Sequence, residues 1–182
     1  VLLVFVLFFS GFWSGKSERE LRKERFKARV ERIEKSHETL ELLYKYAPEA
    51  REMVQEAYGY ATFSNIGVNL VLLSAEGGIG LAHNNHNGIN TYMNMASGGL
   101  GFGLGAKDFR AVFLFEDKEA YDNFVQNGWE ANAQADAAAK LNENGGAINL
   151  AETVARGIRL YKLTQNGLAL QATVQGTKYW RD

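Results

Sequence analysis

Three patterns of apolar and polar positions follow one another along the chain. Residues 1–13 are apolar apart from Ser10 and Gly11. From residue 17 to about 46, apolar side chains recur at Phe26, Val30, Ile33, Leu40, Tyr44 and Ala47, a four-three rhythm in which His37 fills the vacant place. That spacing predicts one long helix with an apolar stripe. Ser17, with Glu20 three residues on, is a capping box for its start. Pro48 restricts Ala47 and ends it. A second, shorter helix is expected over 49–57, with Glu49 and Glu52 near its N-terminus.

From Gly59 onward the period becomes two, the spacing of strands with alternating faces. Segments 78–83 and 89–95 flank Asn84-Asn85-His86-Asn87-Gly88, whose residues tolerate positive φ, so a hairpin is expected. Residues 99–105 alternate glycine with Leu100, Phe102 and Leu104, a strand with one bare backbone face. Over 109–115, Ala111, Phe113 and Phe115 face opposite to Arg110, Val112 and Leu114. Asp117 caps a helix to about 126, and Asn127-Gly128 stops it. Residues 129–139 alternate like a strand while their alanines favour helix, and strand is the preferred reading; Asn144-Gly145-Gly146 reads as a turn, 158–163 and 168–174 as a hairpin, and 176–180 as a closing strand. The order is helices first, then adjacent antiparallel strands with one inserted helix. The fold class is α+β, a long N-terminal helix followed by a curved, largely antiparallel, barrel-like sheet. Three segments result: 1–15 apolar, 16–56 helical, 57–182 the sheet domain.

Charge sharpens the picture of the first helix. The net charge is only −1, which gives no overall field for nucleic acid. Between 16 and 35, however, about nine Lys/Arg face about five acidic residues, roughly +4. The row Arg19, Arg22, Lys23, Arg25, Lys27, Arg29 and Arg32 is either a solvated helix face or a face drawn to anionic headgroups. The apolar run before it is too short to span a bilayer by itself. It reads as an export signal, as part of a membrane anchor with a cytoplasmic domain, or as a core segment. The first reading places the protein in the periplasm or cell envelope.

Several chemistries are poorly supported by these residues. There are no cysteines, so a disulfide framework, a zinc-thiolate site and a thiol nucleophile are excluded. The 99–105 glycines lack dinucleotide-loop spacing, and neither a phosphate-binding P-loop nor a nucleophile elbow occurs. His83 and His86 belong to an Asn-rich turn that offers no further metal ligands. No cofactor is expected, and no catalytic residues stand out.

Four segments together carry a family resemblance. They are Gly59-Tyr60-Ala61-Thr62-Phe63-Ser64-Asn65; Gly99-Leu100-Gly101-Phe102-Gly103-Leu104-Gly105-Ala106-Lys107-Asp108-Phe109-Arg110; Gly128-Trp129-Glu130; and Asn166-Gly167-Leu168-Ala169 through Gln175-Gly176-Thr177-Lys178. In this order they resemble the SYLF domain, an actin-binding-protein-like lipid-binding domain, and its small bacterial branch in particular. The resemblance implies phospholipid binding without enzymatic activity. Eukaryotic members bind phosphoinositides and some bind actin filaments, a role for which no motif matches here. Bacterial relatives are commonly exported and held to a membrane by a lipidated cysteine. With no cysteine, attachment of this chain would have to use the apolar segment. The expected lipid contacts are Lys107, Arg110, Lys178, Trp180 and Arg181, with Arg22, Lys23, Arg25 and Arg29 of the helix. The alternative is a protein-interaction or envelope-scaffold domain whose long helix pairs with itself or a partner. The direction in which Phe26, Val30, Ile33 and Leu40 point separates the two surfaces available to that helix.

Overall fold

A computed structural model describes residues 16–65, 77–97, 108–131, 151–169 and 176–182. Lys107 and the glycine-alternating segment 99–105 lie outside the described residues, as do the apolar segment 1–15, the run 68–73 and most of 129–139 and 168–174.

Helix α1 runs Glu18–Tyr46 and α2 runs Ala50–Glu56. The capping box forms as expected: Glu20 N–H donates to Ser17 Oγ at 3.3 Å, and Ser17 N–H donates to a Glu20 carboxylate oxygen at 2.8 Å. Strands β1 (Gly59–Ser64), β2 (Gly77–Asn84), β3 (Asn90–Ser97) and β4 (Arg110–Phe115) follow, then α3 (Lys118–Asn127). The chain continues through β5 (Trp129–Glu130), β6 (Glu152–Ala155), β7 (Ile158–Thr164), β8 (Gly167–Leu168) and β9 (Thr177–Arg181). They form one antiparallel sheet in the order β5-β9-β3-β2-β1-β4-β7-β6, with β8 also on β7. The sheet curls into a half-barrel, and the fold is α+β. Strand β6 went unread in the sequence because it is short and turns back on β7 through Arg156-Gly157, where Gly157 has a φ of 71°.

Alternation along each strand sorts side chains into two layers. The inner face gathers Phe63, Phe113, Phe115 and Tyr179, with Tyr121, Phe124 and Val125 of α3 packed onto it. Phe113 meets Tyr179 edge-on, with ring centroids 4.9 Å apart, and Phe124 at 5.0 Å. Full burial of each such side chain contributes about 1.5–3 kcal/mol. Two glycines make this layer possible. A Cβ at Gly80 would run into the Phe63 ring, and one at Gly78 into Met95. Gly128 ends α3 with a φ of 73°, as its place after Asn127 predicted.

The outer face carries α1 and α2. Leu40, Leu43, Ala47 and Val54 pack on Val112, Leu114, Tyr161 and Leu163. Arg110, Val112 and Leu114 do face opposite to Ala111, Phe113 and Phe115, as the alternation predicted.

The apolar stripe of α1 is placed differently from the sequence expectation. The row that meets the sheet is Arg32, Ser36, Thr39, Leu40, Leu43 and Ala47, all buried. Phe26 is 70% exposed and Val30 36% exposed, Ile33 is half-buried, and His37, expected to be half-buried packing, is exposed. The sheet selects its contact row by tertiary fit, and over the N-terminal half of α1 that fit is polar.

Candidate functional site

Helix α1 leaves the sheet over β3. Its C-terminal end is held where the Tyr46 hydroxyl meets the Gln165 carbonyl at 3.4 Å. Further along, the Thr62 hydroxyl donates to Ser36 Oγ at 2.8 Å. The last firm attachment is Arg32. Its Nη2 donates to Asn94 Oδ1 at 2.8 Å and lies 3.3 Å from the Asp182 carboxylate, which also accepts from Asn94 Nδ2 at 3.0 Å. Arg29 stacks over Tyr92, 5.3 Å from the ring centre. Before that, residues 16–27 are exposed all round. With 29 residues in the helix, this arm reaches well beyond the sheet edge, at about 1.5 Å per residue.

Helical geometry polarises the arm. Successive residues rotate by about 100°. With Val30 as origin, Phe26 and Ile33 fall within about 60° of it, and Arg19 and Lys23 within about 20°. Arg22 and Arg29 border the same flank at about 80–100° on one side. Glu20, Glu24 and Glu31 stand at about 80–120° on the other side. One flank therefore carries apolar residues among arginines and lysines, and the next carries carboxylates. Arg25 continues the sheet-facing row past the end of the sheet.

The expected β9 residues are divided by the pleat. Lys178 and Trp180 face the α1 side and Arg181 the other. Trp180 is 38% exposed and opposes Asn94 in register, so it stands beside the point where α1 departs. Lys178 is exposed but lies 3.3 Å from Glu130, which offsets part of its charge. Lys178 and Trp180 thus lie on the face that α1 crosses at Arg32, while Arg22 and Lys23 stand further out on the exposed arm.

Arg110 is not part of that surface. Expected to meet headgroups as an accessible charge, it is 8% exposed, set between Ser64 and Leu163 in register. Strand alternation puts it on the outer face of the sheet, with Val112 and Leu114. Arg32, read in the sequence as part of a solvated or headgroup-facing basic row, is instead buried against the sheet, and its partners Asn94 and Asp182 went unread because the pairs lie 62 and 88 positions apart.

The two hairpin histidines have local partners. His86 stacks on Tyr58 with centroids 4.4 Å apart, and His83 Nδ1 lies 2.6 Å from Asn90 Oδ1. Burial pushes the Tyr121 hydroxyl up to about 12, with the Thr91 side chain opposing that shift. Among the described residues, no group of His, Asp and Glu could hold a metal ion, and no helix is long and apolar enough to cross a membrane.

The geometry defines an α+β half-barrel domain bearing a polarised helical arm at one sheet edge. No protein-family model matches the chain. Among curated proteins, it is similar to Beta cell expansion factor A of Aeromonas veronii, with 36% identity over 140 residues. The alignment takes in 77% of this chain and 52% of that protein, so the chain spans about half the length of the curated relative it matches.

Proposed function

We propose that this is a non-enzymatic, SYLF-type domain that docks on anionic phospholipid surfaces, with its place of action at the cell-envelope membrane. The observation that carries the reading is the exposed flank of α1, where Phe26 and Val30 stand among Arg19, Arg22, Lys23 and Arg29. An apolar row bordered by cations suits the boundary between headgroups and acyl chains, where each basic residue adds about 1 kcal/mol. Trp180, exposed beside the root of the arm, suits the same interface. The four sequence segments that resemble SYLF domains support the family assignment.

The test is co-sedimentation of the full chain with vesicles of graded anionic content at low and high salt. Binding should rise with anionic lipid and fall with salt, because exposed charges are screened beyond about 8 Å at physiological ionic strength. Equal, poor binding to neutral and anionic vesicles would sink the reading.

The same arm supports a second reading. Its acidic flank, Glu20, Glu24 and Glu31, complements the basic flank of another arm, so a second copy could pair with it. A dimer in sedimentation velocity that dissociates on Phe26→Asp, in a protein indifferent to vesicles, would favour self-association over docking.

A further inference from the structure

A groove opens where α2 ends against the sheet. Met53, Glu56 and Ala57 line it from the helical side, and Leu114, Glu116 and Arg159 from the ends of β4 and β7. Its volume is about 290 Å³, at the lower edge of the roughly 300–1,000 Å³ typical of small-ligand sites. None of these residues belongs to the arm, so the groove stands whether or not the arm docks on a membrane.

The lining is of two kinds. Leu114 is 2% exposed, and Met53 and Ala57 are half-buried, so carbon surface forms the floor. The Tyr161 hydroxyl donates to Met53 Sδ at 3.2 Å and fixes the thioether against the sheet. Glu56, Glu116 and Arg159 are exposed and form the rim. Their charges do not cancel. Arg159 is the one cation among the lining residues, and its Nε donates to Glu116 at 2.8 Å. Glu56 has no ion-pair partner among the described residues. Burial pushes the Tyr161 hydroxyl up, and the Glu49 charge adds to that shift more than Arg159 opposes it. The field behind the floor is therefore negative on balance.

This combination selects a kind of ligand. An anion would meet Glu56 with the only nearby cation already engaged. An inorganic cation would gain nothing from the carbon floor, and a neutral apolar molecule would leave the carboxylate unused. An ammonium group brings three donors to that carboxylate. An aromatic body suits the floor, because a thioether makes favourable contacts with a ring.

We propose that the groove between α2 and the ends of β4 and β7 binds a small arylalkylammonium cation, with its ring on Met53 and Leu114 and its ammonium at the Glu56 carboxylate. The ionic contact lies at the rim, so its contribution is modest and falls with salt.

The experiment titrates phenethylammonium into the full chain and follows the methionine methyl signals by NMR. The protein has 3 methionines. Met93 and Met95 are fully buried in the inner layer and serve as internal references. Saturable movement of the Met53 signal alone is expected. Phenethyl alcohol and phenylacetate, which keep the ring and change the charge, should bind at least about threefold more weakly. Glu56→Gln should cost about threefold and Glu56→Lys about tenfold. Ala57→Leu, which fills the groove, should abolish the response. If Ala57→Leu does not fold, the substitutions at exposed Glu56 still decide the matter. A Met53 response in a protein that ignores vesicles would support the groove site and defeat the docking reading alone. No saturable movement of Met53, movement of all three methyl signals together, an equal response to the alcohol, or an unchanged affinity in Glu56→Lys would overturn the proposal.

Discussion

The two halves of α1 belong to one unbroken helix and are held in opposite ways. From Leu40 to Ala47 the helix sinks apolar side chains into Val112, Leu114, Tyr161 and Leu163. From Arg32 to Thr39 it is fastened by hydrogen bonds and one ion pair, and before Ala28 the sheet no longer covers it. Apolar burial is non-directional and strong per residue, whereas polar fastening is geometric and weaker on balance. A helix can therefore be anchored at one end and present its other end as a surface, without a break in its backbone.

The comparison is broken most sharply at the anchored end. Leu43 is fully buried, and Leu43→Ala should destabilise the fold by about 2–5 kcal/mol, read as a lowered denaturant midpoint. At the free end the sign of the experiment reverses. Phe26→Asp should leave the denaturant midpoint nearly unchanged, within about 0.5 kcal/mol, while weakening vesicle binding at least about tenfold. Loss of stability without loss of binding would mean that the arm is part of the core and not a docking surface.

Between the two lies the fastening. Asn94→Ala removes the partner of Arg32 and of Asp182 and should cost about 1–3 kcal/mol, with faster amide exchange before residue 32 than after residue 40. Uniform acceleration along α1 would show that the helix opens as one piece.

The smallest effect belongs to the cap. Ser17→Ala should fray the first turn by about 1 kcal/mol, visible in amide exchange and not in the global midpoint. The same end responds to acid. Hydrogen bonds from the Ser17 backbone and side chain hold the Glu20 carboxyl below its ordinary value of 4.5. A depressed value means the stabilisation is fully present above the unfolded value and is lost as pH falls through the folded one. Fraying of the first turn should therefore set in below about pH 4.5, and an acid-insensitive first turn would show that the capping box contributes nothing.

Much of this molecule could be read locally. Ser17 and Glu20 announce the start of α1, Asn127-Gly128 the end of α3, and the Asn84–Gly88 run its hairpin, because caps and turns depend on neighbours a few residues away. The alternation of Arg110, Val112 and Leu114 against Ala111, Phe113 and Phe115 is likewise a property of the strand itself. Lys178, Trp180 and the arm were legible only as residue types. The placing of Lys178 and Trp180 depends on β9 joining β3 in register, a pairing of residues that lie nearly half the chain apart.

Periodicity therefore determined the α+β class and, β6 apart, the main described elements and their order, since backbone geometry imposes 3.6-residue and two-residue repeats wherever one side must be buried. Which side of α1 is buried was decided only in three dimensions. The four-three rhythm named Phe26, Val30 and Ile33, yet the helix rests on Arg32, Ser36 and Leu43, because the sheet beneath offers Asn94 and Thr62 along one half and Val112 and Leu114 along the other. The burial of Arg110 was decided the same way: strand alternation gives its face, and only the tertiary fold takes the charge out of water.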